Sequence, residues 1–259
     1  MDYIESLFSL KGKNAIVTGA SRGNGKSMAS SLLKSGANVL LIDILQKELS
    51  DTKKEFVEQG LSVSSLLCDI TKDSDLKKLK NYVSKHFQTI EILVNNAGIS
   101  LPNNSLLYPD LLWEQTYNVN LKAPFQVIKT LLEFLKKAKS SSIINITSLN
   151  AELAFPNNPA YAATKGGLKQ LTKALALDYG KFGIRINNIG PGYIHTKMTE
   201  KSWKDINANR NRKNHTILNR WGVSEDLSGI IIFLASNSSS YVTGQDFYVD
   251  GGWLVKGLN

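Results

Sequence analysis

Short apolar runs alternate with longer amphipathic stretches along the whole chain. Asn-Ala-Ile-Val-Thr at 14–18 and Asn-Val-Leu-Leu-Ile at 38–42 are near-continuous apolar segments. A strand of that kind is buried on both faces, as in a parallel sheet covered by helices on either side. The same pattern places strands at 62–67, 90–94, 142–147, 185–189 and 247–249. Between them it predicts helices at 25–35, 46–59, 73–87, 110–137, 161–179 and 225–235. The segment 193–218 is polar and irregular, with room for a short helix. No linker, repeat or low-complexity tract divides the 259 residues. The expected architecture is therefore one α/β domain, a doubly wound sheet of about seven parallel strands with helices on both faces.

Composition narrows the function classes. At 42% hydrophobic residues the chain can bury a large core. Its net charge of +9 is spread along the sequence and mixed with acids, which favours a solvated basic surface over a nucleic-acid groove. Cys68 is the single cysteine, so no intramolecular disulfide and no thiolate metal cluster can form, and no metal is expected. Residues 1–14 lack the apolar core of a signal peptide, and no later run reaches membrane-spanning length. A cytoplasmic protein without membrane partners is expected.

The first strand runs into Thr18-Gly19-Ala20-Ser21-Arg22-Gly23-Asn24-Gly25, and a helix follows at once. Glycines there permit a tight turn and let a pyrophosphate approach the backbone at a helix N-terminus. Asp43 ends the second strand, 18 residues after Gly25. A carboxylate at that place can accept hydrogen bonds from the ribose hydroxyls of NAD and would repel the 2′-phosphate of NADP. Arg22 is the opposing clue, since it could pair with that phosphate. NAD(H) is favoured, and NADP(H) stays open. Asp69-Ile70 and Asn95-Asn96-Ala97-Gly98 follow the third and fourth strands, where strand ends border a ligand crevice. Both stretches also have the chemistry of ordinary turns.

Tyr161 and Lys165 lie one helical turn apart on one face. A phenol ionises near pH ~10, and an ammonium beside it would lower that value toward useful acid/base work. Such a pair also arises by chance on solvated helices. Ser148, at the end of the fifth strand, lies 13 residues before Tyr161 and can bring its hydroxyl to the phenol. Asn120 falls inside a predicted helix, where its propensity is poor; a kink or a held water are the two readings.

Taken together, these residues resemble the short-chain dehydrogenase/reductase family, over nearly the whole chain. The carrying motifs are Thr18-Gly19-x-x-x-Gly23-x-Gly25, Asn95-Asn96-Ala97-Gly98, Asn120, Ser148, Tyr161-x-x-x-Lys165, Pro191-Gly192, Thr243-Gly244-Gln245 and Asp250-Gly251-Gly252. The resemblance implies a Rossmann-like NAD(P)-binding domain. It makes Tyr161 the general acid/base, Ser148 a hydrogen-bond partner of the substrate oxygen, Lys165 a holder of the nicotinamide ribose and Asn120 the anchor of a proton-relay water. It implies cofactor contacts from Gly19, Ser21, Arg22, Gly23, Asn24, Gly25, Asp43, Asp69, Ile70, Asn96, Ala97 and Gly98. Pro191, Gly192, Ile194 and Thr196 would wrap the carboxamide. Asn24 departs from the family pattern, which has an apolar residue there; it is read as a cap of the following helix or as a contact to the nicotinamide or substrate.

In the family, the segment after the sixth strand closes over the substrate, here at about 193–220. It carries Lys197, Lys201, Lys204, Arg210, Arg212, Lys213 and Arg220 against Glu200 and Asp205. With His195 it suits an anionic substrate, or is simply a solvated polar surface. Leu218-Asn219-Arg220-Trp221-Gly222 and Val249-Asp250-Gly251-Gly252-Trp253 are similar to the gluconate 5-dehydrogenase and deoxygluconate dehydrogenase branch. A sugar-acid alcohol/ketone oxidoreductase is the expectation. A 3-oxoacyl-thioester reductase and a non-catalytic nucleotide sensor are the alternatives. Small residues Ala162, Ala163, Gly166 and Gly167, by analogy with the family, suggest a homotetramer or dimer packed through the helices around the fifth strand.

Overall fold

The computed structural model describes residues 2–138 and 140–256. After a short helix α1 (Tyr3–Phe8), strand β1 (Asn14–Thr18) leads through the glycine turn to α2 (Gly23–Lys34). Then follow β2 (Asn38–Asp43), α3 (Gln46–Glu58), β3 (Val63–Leu67), α4 (Asp73–His86) and β4 (Ile92–Asn95). Helices α5 (Asp110–Tyr117) and α6 (Ala123–Lys137) precede β5 (Ser141–Ile146), α7 (Pro159–Tyr179) and β6 (Ile184–Pro191). The chain closes with α8 (Glu200–Lys204), α9 (Ile206–His215), α10 (Ser228–Ala235) and β7 (Asp246–Val249). Seven strands, all paired in parallel, form one sheet in the order β3-β2-β1-β4-β5-β6-β7, the expected Rossmann-like arrangement.

The apolar runs have a direct explanation. Within β1, Ala15 and Val17 face the layer that holds Met28, Leu32 and Leu234, while Ile16 faces the layer that holds Leu79, Val83 and Leu131. Because both faces are covered, alternation along each strand is apolar to apolar. The sheet reverses its winding between β1 and β4. The loops after these two strands therefore meet in the crevice at the strand C-termini.

Three expectations change. The helix expected over 110–137 is broken at Asn118–Lys122 by one π turn, in which the Ala123 N–H bonds the Asn118 carbonyl. The irregular 193–218 segment contains α8 and α9, with Asp205 Oδ1 capping α9 by accepting from Ala208 N at 2.8 Å. Its polar residues left no apolar stripe to read. Among the small residues of α7, Gly167 is explained inside the chain, since a side chain there would press on Leu121 of the π turn.

A row of polar residues crosses the apolar sheet. Asn95, Asn145, Asn188 and Asp246 are directly registered neighbours on β4, β5, β6 and β7. Asn95 Nδ2 donates to Asn145 Oδ1 at 2.9 Å, and Asn188 Nδ2 to Asp246 Oδ1 at 2.7 Å. Thr172 of α7 joins them, accepting from Asn145 Nδ2 at 2.7 Å and donating to Asn188 Oδ1 at 2.6 Å. Thr172 is fully buried, so Thr172→Val strands two amide atoms without water. We expect a loss of about 1–3 kcal/mol, read as a lower urea midpoint with an unchanged slope. A midpoint equal to that of the parent would show that the row carries no weight.

Candidate active site

The glycine turn is shaped by contact. A Cβ at Gly25 would overlap the Gly19 carbonyl oxygen, and Gly23 sits at φ +54°, in the left-handed region. Asn96 Nδ2 clamps the turn by donating to the Thr18 and Gly19 carbonyls, both at 2.9 Å. Thr18 Oγ1 in return accepts from Asn96 N at 3.0 Å and Ala97 N at 3.1 Å. The loops after β1 and β4 are thus one unit. Thr196 lies against Gly23, where its methyl would stand 3.5 Å from an added Cβ. Gly192 packs on Asp250, and Ile194 bridges to Gly222, so the run from Pro191 to Thr196 borders the turn.

Two features of the turn suit a dinucleotide. It delivers the N-terminus of α2 without an acid in the first turn. Ser21 Oγ is buried and has no partner among the described residues, so a polar group is still owed to it. Asp43 accepts from Ser21 N at 3.0 Å through Oδ2, and from Ile44 N at 2.8 Å and Leu45 N at 3.1 Å through Oδ1. Arg22 is exposed at the N-cap. Asn24 is not the cap of α2: it lies inside the helix, and its Oδ1 accepts from Ser224 Oγ at 2.9 Å, tying α2 to a distant loop. Asp69 keeps its carboxylate in local turn contacts, accepting from Thr71 N at 3.0 Å and Thr71 Oγ1 at 2.6 Å, with Lys72 at 3.4 Å. Ile70 is buried beside it.

The reactive cluster lies at the ends of β4 and β5. Lys165 is 3% exposed and donates from Nζ to the Ile146 carbonyl, the end of β5, at 2.6 Å. Its ammonium also lies 5.6 Å from the Tyr161 ring centre. Ser148, two residues further on, hydrogen-bonds the Tyr161 hydroxyl. Asn120 projects from the π turn and holds Ile99 at both ends, accepting from Ile99 N at 2.9 Å and donating to Ile99 O at 2.8 Å. A methyl on Gly98 would stand 3.3 Å from Asn120 Oδ1 and 3.6 Å from Lys165 Nζ, so these three residues converge. The kink reading of Asn120 was the useful one: the helix opens there, and the side chain reaches the loop after β4.

The titration behaviour departs from expectation. Burial pushes the Tyr161 phenol above its ordinary value; the Ser148 hydrogen bond pulls it down, and Tyr193 adds to the upward push. Burial acts on the ammonium as well and lowers Lys165 from 10.5 to about 8, so Lys165 still carries its charge at neutral pH. His195 is exposed and stacked on Trp203, with ring centres 4.1 Å apart, and it is Tyr193 whose charge bears on Tyr161. Tyr193, Asn150 and Asn158 were missed in the sequence. The last two flank Ser148 and Tyr161 at intervals that also suit plain turns.

The unfolded chain binds the Lys165 proton more tightly than the folded one, so folding below about pH 8 carries the full penalty. At 1.36 kcal/mol per unit this is about 3 kcal/mol, offset by about 1 kcal/mol from the Ile146 bond. Lys165→Met should therefore raise stability at pH 7 by about 2 kcal/mol. The gain should shrink as pH rises from about 8 through 10.5, where the parent protein sheds the charge. Denaturant titrations at several pH values check this; a variant less stable at every pH rules it out.

Comparison with known proteins extends over the same elements. The profile of the family described as enoyl-(acyl carrier protein) reductase matches residues 19–254. The Escherichia coli protein named uncharacterized oxidoreductase YgcW is 39% identical over 250 residues, 96% of this chain and 95% of its own. Gluconate 5-dehydrogenase of Gluconobacter oxydans is 37% identical over 252 residues, covering 96% of this chain and 98% of the relative. The crystal structure of a gluconate 5-dehydrogenase from Burkholderia cenocepacia, in complex with NADP and tartrate, superposes with a TM-score of 0.94 at 31% identity, over 98% of this chain and 99% of the other. Likeness that runs from the glycine turn to the end of the sheet, in both sequence and strand order, reflects common descent: the chain belongs to the short-chain dehydrogenase/reductase family of nicotinamide-dependent oxidoreductases acting on CH–OH groups.

Proposed function

We propose that the protein interconverts a secondary alcohol and a ketone on a sugar acid, in the manner of a gluconate 5-dehydrogenase. The observation that carries this reading is the convergence of Ser148, Tyr161, Lys165 and Asn120 beside the glycine turn. The activity named for the Gluconobacter relative, and the tartrate held by the Burkholderia structure, support a hydroxy-acid substrate. The dinucleotide, when bound, takes up or gives the hydride. In oxidation, Tyr161 removes the hydroxyl proton while Ser148 holds the same oxygen; in reduction the proton returns by that route. Lys165 holds the ribose and places a positive charge near the developing phenolate, the role left to it once a polar partner shares the site. Asn120 keeps the loop after β4 at the depth that Gly98 and Lys165 require. Residues 193–220 act as the lid, which excludes water from the reacting groups.

Replacement of Tyr161 by Phe removes the only atom assigned to proton transfer. We expect dinucleotide binding within a few-fold of the parent and a loss of turnover of about 10²- to 10⁴-fold. Turnover within tenfold of the parent would refute the assignment.

Both NAD(H) and NADP(H) fit the reading, and Asp43 is the residue proposed to weigh between them. A ribose phosphate would face its carboxylate, with Ser21 Oγ and exposed Arg22 as the attracting groups. Asp43→Ala should shift the ratio of kcat/KM for NADP over NAD upward by about tenfold, the effect of about 1.4 kcal/mol. An unchanged ratio in steady-state assays with both dinucleotides removes Asp43 from that choice.

A further inference from the structure

Five buried side-chain atoms have no hydrogen-bond partner among the described residues: Ser21 Oγ, Asn95 Oδ1, Asn150 Nδ2, Asn158 Oδ1 and Arg212 Nε. Folded proteins keep few such groups, and each needs a reason. Ser21 lies in the glycine turn, and Asn95 lies inside the sheet. Of the other three, Asn150 and Asn158 flank Ser148 and Tyr161 in the chain, and Arg212 belongs to the lid. Asn150 follows Ser148 by two residues and Asn158 precedes Tyr161 by three. Arg212 comes from α9, and its guanidinium carbon stands 4.6 Å from the centre of the Tyr193 ring. Tyr193 also meets Phe155, which lies in the segment between the two asparagines, edge-on at 6.1 Å, and its phenol disfavours ionisation of Tyr161.

We propose that Arg212 anchors the carboxylate of the substrate, while Asn150 and Asn158 receive its hydroxyls. The proposal rests on the sugar-acid reading above and names the groups that perform the recognition. Other cations of the lid are engaged. Lys197 and Lys204 share Glu200 at 2.8 and 2.7 Å, and Arg220 grips Asp226 with two bonds of 2.7 and 2.8 Å. Lys201, Arg210 and Lys213 are exposed, so water already solvates their charge. Arg212 has no acidic partner among the described residues, and it alone in the lid holds a buried, unpaired donor. The guanidinium lies over the Tyr193 ring and its buried Nε–H is unpaired among the described residues; a carboxylate can engage such a guanidinium with two parallel bonds.

The asparagines complete the match. Asn158 Nδ2 donates to Ser100 Oγ at 2.8 Å, which leaves its carbonyl oxygen as a free acceptor. Asn150 has the opposite arrangement: its Oδ1 lies 3.5 Å from Ser148 Oγ, and its Nδ2 is a free donor. A hydroxyl both donates and accepts, so one free donor and one free acceptor suit a chain of hydroxyls better than an apolar chain. An acyl chain has no carboxylate for Arg212 and no hydroxyl to donate to the Asn158 carbonyl.

The test compares D-gluconate with D-glucitol, a polyol of the same length without the carboxylate, using NAD and NADP in parallel. For Arg212→Met, kcat/KM on gluconate should fall about 10- to 100-fold, mainly through KM, while the value on glucitol stays within about threefold. Arg212→Lys should recover part of the loss. Direct titration with gluconate, followed by the fluorescence of Trp221 and Trp253 beside Tyr193, should show the same weakening. An equal loss on both substrates would mean that Arg212 only braces the lid against Tyr193, and an unchanged gluconate KM would mean that the carboxylate lies elsewhere. Either result overturns the anchor and leaves the sugar-acid reading standing. A wild-type protein that prefers glucitol, or oxidises neither compound, sinks that reading and the anchor with it.

Discussion

Thr172 and Lys165 are two turns apart on α7, and each fastens that helix to the sheet by a buried polar contact. Thr172 stands between Asn145 and Asn188, the central members of a polar row across four strands. Lys165 reaches the carbonyl at the end of β5. Apolar packing alone would let a helix slide by a fraction of a turn at little cost, because hydrophobic contact is non-directional. Hydrogen bonds of fixed length do not. The depth of Tyr161 above the strand ends, and so its meeting with Ser148, depends on these two contacts.

Burial then has opposite meanings at different places. Along the polar row nearly every amide atom is paired, and the row stiffens the fold. Ser21, Asn150, Asn158 and Arg212, by contrast, each keep a buried atom without a partner among the described residues. A chain selected only for stability would pair or remove these groups. Ser21 lies in the glycine turn, whereas Asn150 and Asn158 flank Ser148 and Tyr161 in the chain. The lid shows the same contrast in charge. Glu200 and Asp226 pair with three of its cations and offset two of their charges, which makes its basic composition a poor measure of the field that a substrate meets.

Much of this was legible in the chain. Continuous apolar runs gave the parallel sheet, since both faces of each strand are covered. The glycine turn was legible because Gly25 has no room for a side chain. Tyr161 and Lys165 were legible because helical spacing puts them on one face. Asn120 was half-legible: its poor helix propensity marked a break, and the break is a π turn. The contacts of Asn24 and the two helices of the lid were hidden, because Ser224 lies 200 residues away and α9 has no apolar stripe. His195 was chosen for its chemistry alone, and its stacking on Trp203 could not be read from spacing.

Local pattern therefore determined which residues are strands, which turn can cradle a phosphate, and which side chains can move a proton. Those properties depend on spacing and residue type within a few positions. Tertiary structure decided how the groups are tuned and what surrounds them. Burial raises the Tyr161 phenol and lowers the Lys165 ammonium together, which no spacing rule foresees, because desolvation is set by what the whole fold packs around both groups. The setting of Arg212 was likewise decided by folding. Among the five arginines it became distinct only when its guanidinium came to lie over the Tyr193 ring, with its buried Nε unpaired among the described residues.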